Sequence, residues 1–403
     1  MRAFQSLKHP SFALLWGGQT LSRIGDSVYK VALAWWVLEK TGSAAAMGQV
    51  LIFSFAPMLL FLLVGGVAVD RFSRLRLMLL SDLLRGAVLA VVSLLAFASL
   101  LAVWHVYVAS MILGFVSAFF QPAYVAVLPE IVPQESLPSA NSLTTVSRQM
   151  ADILGPSVGA VFVALGGTPS AFAFNGLTFF LSAACLLFLR RRWSETRGAV
   201  RKQGVVGDLR EGMQAVWASP WLSITIATAA LVNITLSGPA SVALPLFVKQ
   251  ELRADVRSLG LLYSMLALGS TLTAVCLGHL ARVRRRGLFA YGALFLTGLA
   301  YMTLGTAPSV LGAGAAALVA GASVAVFPLI TVNTMQEIVP RGLLGRVSSI
   351  DYLGSYSLIP VGYGLIGWAA DKVNASSVFL IGGLITCALV VLALLHPGVR
   401  NFD

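Results

Sequence analysis

The sequence predicts an all-α membrane protein with twelve transmembrane helices, arranged as two parallel repeats of six. Three observations carry that reading. Of 403 residues, 58% are hydrophobic and 11% charged, with a mean hydropathy of +0.86, whereas a soluble domain carries about 25% charged residues. The apolar runs exceed the roughly 18 residues that mark a spanning helix, and they lack the period of two that a transmembrane strand requires. Finally, Glu130-Ile131-Val132-Pro133 recurs as Glu337-Ile338-Val339-Pro340, at an offset of 207 residues.

The first half, residues 1–189, holds apolar segments at about 11–38, 45–69, 75–101, 103–128, 142–165 and 170–189. The second half, 221–403, holds them at about 221–248, 258–281, 287–306, 309–333, 347–370 and 374–396. Pro10 and Pro220 open helices 1 and 7, and Gly66 and Gly278 close helices 2 and 8. Matching elements fall on the same membrane side, so the repeat is parallel, about an axis along the membrane normal. Between the halves lies the one long polar stretch, 190–220. In it Leu209, Met213, Val216 and Trp217 recur at helical spacing opposite Arg210 and Glu211. That pattern suits a helix lying on the membrane surface, or equally a solvated linker with a helical turn. The N-terminus leads into an apolar segment that lacks a small-residue cleavage site and is expected to be a retained first spanning helix.

The formal net charge of +12 would point to nucleic acid in a soluble protein. Here its placement explains it. Nineteen Lys and Arg lie on the side of the termini, clustered at residues 71–76, 190–210 and 282–286, against five opposite: Lys40, Lys249, Arg253, Arg257 and Lys372. The positive-inside rule then puts both termini and the linker in the cytoplasm, with no nucleic-acid partner. Cys185, Cys276 and Cys387 are isolated in apolar runs, and the four histidines are far apart. Neither a disulfide framework nor a metal site follows.

Helix 1 carries Gln19, Arg23, Asp26 and Lys30 on one face. A charged residue at the centre of a spanning helix costs about 2.5 to 3.5 kcal/mol on insertion scales, so this stripe must face protein or a water-filled cavity. Asp26 suits a cationic substrate or a proton; a local ion pair with Arg23 or Lys30 is the structural alternative. Helix 5 repeats the pattern with Asn141, Thr145, Arg148, Asp152, Gly155 and Gly159 on one face, Arg148 and Asp152 being four apart. Proton coupling is assigned to Asp26, Arg148 and Asp152. Trp35, Trp36, Trp104 and Trp221 sit near segment ends, as in an interfacial aromatic belt.

The loop after helix 2, Gly65-Gly66-Val67-Ala68-Val69-Asp70-Arg71-Phe72-Ser73-Arg74-Leu75-Arg76, resembles the loop 2–3 motif of the major facilitator superfamily. Other stretches are similar to its branch of enterobactin exporters, macrolide-efflux pumps and mycobacterial multidrug pumps. They include Ser22-Arg23-Ile24-Gly25-Asp26, Thr41-Gly42-Ser43, Asp82-Leu83-Leu84-Arg85, Phe120-Gln121-Pro122-Ala123 and Ala140-Asn141-Ser142-Leu143. The resemblance implies the major facilitator fold, with helices 1, 4, 7 and 10 around a central cavity and helix 3 outside it. Gln19, Arg23, Asp26, Lys30, Gln121 and Asn233 then become candidate substrate-binding residues, and Asp82 with Arg85 a structural pair. It also implies a gate at Gly66, Asp70, Arg71 and Arg74, with Gly66 packing closely on a neighbour and Asp70 latching onto the N-terminus of helix 11. Ser73 replaces the family's second Gly, and Ala160 replaces the last Gly of the antiporter-like helix 5 motif Gly155-Pro156-Ser157-Val158-Gly159.

No nucleotide loop, nucleophile triad or metal cluster is present in the sequence, so neither enzymatic chemistry nor a cofactor is expected. The expected function is secondary active export of small, partly hydrophobic molecules by proton antiport. The partners are substrate, protons and the bilayer of a bacterial plasma membrane, and the transporter is expected to be a monomer. The alternative is a lipid or lysophospholipid transporter of the same fold.

Overall fold

The computed structural model describes residues 2–192, 205–278 and 285–400. After a 3-10 turn (Arg2–Lys8) come α1 (Pro10–Thr41), α2 (Ala44–Arg71), α3 (Arg74–Phe97) and α4 (Val103–Ile131). The 56 residues of α5 (Leu137–Arg192) make two limbs, broken at Gly167 with φ 72° and ψ 170°, a conformation that glycine alone adopts without strain. The linker helix α6 (Val205–Ala218) precedes α7 (Pro220–Gly238), which runs on through a π turn, α8 (Leu244–Leu246) and a second π turn to Glu251. Then follow α9 (Val256–Gly278), α10 (Arg286–Gly305), α11 (Val310–Val324), α12 (Val326–Ile338), α13 (Arg341–Tyr356), α14 (Ile359–Val373), α15 (Ala375–Leu394) and α16 (Pro397–Arg400).

Among the described residues, nine helical runs are long and apolar enough to cross a membrane. The polar stripe of α1 keeps it out of that set, and the α13–α14 run is interrupted by a turn at residues 357–358. Taking α5 as two limbs and adding these two gives twelve helical runs among the described residues. The chain forms two compact units, Met1–Thr41 with Val50–Val200, and Gly42–Gln49 with Arg201–Asp403.

Each unit is built with the same joints. In the first, α2 and α4 approach so closely that a Cβ on Gly114 would run into the Ser54 carbonyl oxygen, and one on Gly65 into that of Ala118. In the second, Gly321 and Gly269 bring α11 and α9 together in the same way, against the carbonyls of Leu266 and Leu318. Gly114 and Gly321 are separated by 207 residues, the offset of the repeated Glu-Ile-Val-Pro. That tetrapeptide also has a matching use. Glu130, closing α4, forms an ion pair with Arg74 at the start of α3, and Glu337, closing α12, pairs at 2.6 Å with Arg286 at the start of α10.

Several details correct the sequence reading. The close approach on α2 belongs to Gly65; a Cβ on Gly66 would meet nothing within 4 Å. Successive residues of a helix point about 100° apart, so only one of two adjacent glycines can face α4. Ser73, where the resemblance would have Gly, caps α3, its Oγ accepting from the Arg76 N–H at 3.3 Å. Of the four tryptophans assigned to the aromatic belt, Trp104 is 60% exposed, while Trp35, Trp36 and Trp221 are buried. The Trp35 indole donates to Glu39 at 2.7 Å.

Residues 193–204, with Arg197, Arg201 and Lys202 of the linker, lie outside the described residues, as do 279–284 and the side chain of Leu209. The described part of α6 is amphipathic. Val216 is buried with Trp221, Leu222, Met335 and Val347, and Glu211 pairs with Arg346. Met213 and Trp217 remain exposed, Trp217 at 73%.

Candidate functional site

The polar stripe of α1 runs between the two limbs of α5. On one side Gly155 and Gly159 of the first limb abut Ser27 and Val28; on the other, Gly18 and Gly25 abut Ser182, Asn175 and Thr178 of the second. Gly155-x-x-x-Gly159 therefore packs helices, the ordinary use of small residues at that spacing in membrane bundles. Gly25 has its own consequence: with no side chain there, Asn175 comes near enough for its Nδ2 to donate to Asp26 Oδ1 at 3.3 Å.

Four residues of one stripe have four different settings. Gln19 is buried and donates to Asp82 Oδ2 at 3.3 Å and to Ser182 Oγ at 2.8 Å. It belongs to the helix interface. Arg23 is half-buried, and Asp26 and Lys30 are exposed, although Gly25, Ser27, Val28 and Val31 around them are buried. On the first limb of α5, Arg148 and Asp152 are exposed as well. The charges acting on Asp152 are Lys30 first, then Arg148, then Arg23. Lys30 of α1 therefore acts on Asp152 together with Arg148, the residue that the four-residue spacing pointed to. Arg23, Asp26, Lys30, Arg148 and Asp152 make one field of mixed charge shared by α1 and α5.

A second polar group lies deeper. Asp82 of α3 is 0% exposed and Arg85 7%. Asp82 Oδ2 accepts from Ser182 Oγ at 2.7 Å as well as from Gln19, while the Arg85 guanidinium stands 4.0 Å from Oδ1. Arg85 donates to Ser117 Oγ of α4 at 3.1 Å, and its guanidinium carbon lies 4.5 Å from the centre of the Phe120 ring and 5.4 Å from that of Phe179. Helix 3 is therefore tied to the stripe of α1 through Gln19.

The remaining candidates separate. Gln121 is exposed on α4. In the second unit, half-buried Asn233 donates to the Ser355 carbonyl at 2.9 Å, just before the break between α13 and α14, and Ser355 Oγ donates to Asp351 at 3.4 Å. Asn233 holds backbone at that break. Among the gate residues, Arg71 is exposed, Arg74 is paired with Glu130, and the side chain of Asp70 lies outside the described residues.

Sequence reasoning missed three residues. Asn175 and Ser182 sit in an apolar segment, and their signal was the spacing of Asn175, Thr178 and Ser182 along one helical face. The third is Asp371, near the end of α14, which accepts from Ser43 Oγ and from the backbone N–H groups of Ala44, at 2.6 Å, and Ala45, at 3.1 Å. It caps the first turn of α2, and Gly42–Gln49 group with the second unit. An acid in the last turn of a helix opposes that helix's dipole, which is the readable hint that it serves another element.

A family model for major facilitator proteins, described as "Transmembrane secretion effector", matches residues 1–403. The chain belongs to the major facilitator superfamily. This transporter is 24% identical over 398 residues to "Macrolide efflux protein A" of Streptococcus pyogenes, covering 97% of each chain. It is 28% identical over 391 residues to "Multidrug efflux pump Tap" of Mycolicibacterium fortuitum, covering 94% of each. Among solved structures, a bacterial homologue of the iron transporter ferroportin in its inward-facing state matches with a TM-score of 0.76 at 15% identity, over 95% of this chain and 98% of that one. That likeness establishes the fold. The family and the relatives are multi-pass transporters rather than enzymes.

Proposed function

We propose that this transporter exports small, partly hydrophobic compounds of the drug or siderophore class across a bacterial plasma membrane, by proton antiport with alternating access. The observation that carries the proposal is the mixed-charge field of half-buried Arg23 with exposed Asp26, Lys30, Arg148 and Asp152, set midway along two tightly packed helices. Ionisable groups at that depth are costly and are kept where an ion or substrate must be handled. The names of the two efflux relatives support the class of compound and the direction.

In this reading Asp26, steadied by Asn175, alternately holds a proton and the cationic part of a substrate, while Lys30 and Arg148 balance Asp152. Gln121 and Asn233 contribute to substrate contact. Asp70 with Gly66, Arg71 and Arg74 gates the side that carries the termini, and the Lys and Arg asymmetry makes that side cytoplasmic. The transporter acts as a monomer without a cofactor.

The test is transport by the purified protein in proteoliposomes under an imposed pH gradient, with cationic, neutral and anionic compounds and a fluorescent lysophospholipid. Gradient-dependent accumulation of cationic compounds is expected. Movement of the lysophospholipid alone would replace the export reading with lipid transport. Labelling of a cysteine introduced at position 197 only from outside intact cells would overturn the orientation.

A further inference from the structure

We propose that Asp82 is a second proton site of this transporter and that Arg85 is the counter-ion it shares with Asp26; the inference rests on the antiport reading above. An ionised carboxylate sealed from solvent needs partners for both oxygens. Asp82 is 0% exposed, and Oδ2 is satisfied by Ser182 and Gln19, but Oδ1 has no hydrogen-bond partner. The cation that should fill that place stands 4.0 Å away, beyond hydrogen-bond reach.

A pair that only held helices together would close this gap, since residues three apart on a helix meet readily. Here the arginine is held back. Its guanidinium donates to Ser117 and lies against the rings of Phe120 and Phe179. The missing partner of Oδ1 is supplied by a proton, which turns an incompletely bonded anion into a neutral acid.

The charges bearing on Asp82 are Arg85 on its own helix and Asp26 on α1; those bearing on Arg85 are Asp82, Asp26 and Arg23. α4 presents the Ser117 hydroxyl and the Phe120 ring. The second limb of α5 presents the Ser182 hydroxyl, the Phe179 ring and, against Gly18, the thiol-bearing Cys185. One arginine thus serves two acids, one exposed and one sealed. While Asp26 is ionised and empty, it shares the field of Arg85, and Asp82 carries a proton on Oδ1. When a cationic substrate binds at Asp26, its charge cancels the repulsion that the Asp26 carboxylate exerts on an ionised Asp82 while Arg85 goes on attracting it; the O–H bond breaks, and the proton leaves to the solvent that reaches Asp26. One cation is taken up and one proton released, and Arg85 stays charged throughout.

The test is the pH-difference infrared spectrum of the purified transporter, in the carbonyl-stretch region of protonated carboxylic acids. A wild-type band lost in Asp82→Asn, kept in Asp26→Asn and displaced in frequency in Asp82→Glu is expected, with Arg85→Lys moving its titration midpoint. Asp82→Glu keeps the test decisive if the Asn variant fails to fold. Tetraphenylphosphonium added to the weakly buffered wild-type protein should release protons to a pH dye from Asp82 and from protonated Asp26, and Asp82→Asn should release fewer. An infrared spectrum identical in wild type, Asp82→Asn and Asp82→Glu overturns the proposal. Absence of pH-driven tetraphenylphosphonium export by the wild type removes the antiport reading, and the infrared band still decides whether Asp82 carries a proton.

Discussion

The two units share a frame and differ in what they bury. Each is drawn together by glycines against facing carbonyls and by a Glu–Arg pair at matching helix ends. Inside the first unit, however, lie Asp82, Arg85, Gln19 and Asn175, whereas the buried polar side chains described in the second are serines and threonines, such as Thr235 with Thr386 and Thr297 with Ser323. Hydroxyls satisfy one another or the nearest helical carbonyl and tie helices together without charge. An aspartate and an arginine at the same depth are costly; among the described residues such buried charges occur in the first unit, which is where the proposed proton handling is placed.

The largest effect that would sharpen this contrast is on stability. Arg85→Ala empties a buried site and removes the hydrogen bond to Ser117 and the contacts with the Phe120 and Phe179 rings, so it should cost about 2 to 5 kcal/mol, while Thr235→Val in the second unit should cost about 1 kcal/mol. Thermal unfolding in detergent measures both, and equal losses would break the comparison. The shared frame predicts the opposite pattern. Gly114→Ala and Gly321→Ala each force a methyl into a backbone carbonyl and should cost about 1 to 3 kcal/mol alike, with Gly66→Ala within about 0.5 kcal/mol of wild type.

Asp371→Ala, which uncaps the first turn of α2, should cost about 1 to 2 kcal/mol and expose Ser43 to faster proteolysis or labelling. The helix-end ion pairs give the smallest differences. The side chain of Glu130 is 21% exposed and that of Glu337 60%. Glu130→Gln should therefore cost about 1 kcal/mol and Glu337→Gln less, because solvent screens the outer pair. A larger loss at Glu337 would show that the two clamps are not equivalent.

The frame was legible in the sequence because it rests on composition and on spacing. Apolar length gave the helices, Pro10 and Pro220 marked matching starts, and the repeated Glu-Ile-Val-Pro marked matching ends. Its purpose was not legible, since the arginine partners lie some 50 residues away along the chain, at Arg74 and Arg286. The charged stripe of α1 was also readable, because four polar residues on one apolar helix are conspicuous. The sorting within it was not. Whether Gln19 faces Asp82 or solvent depends on which helix packs beside it, and Asn175 reaches Asp26 only because Gly25 leaves room. Choosing Gly66 over Gly65 failed for the same reason: adjacent glycines look alike until a neighbour is in place.

The central claim, that export is driven by protons through the charges of the first unit, is tested most directly by Asp26→Asn in proteoliposomes. Tetraphenylphosphonium transport would be followed with and without an imposed pH gradient. The account predicts that the variant loses uphill transport under the gradient while downhill exchange persists. An Asn variant that still concentrates the cation against its gradient would contradict it.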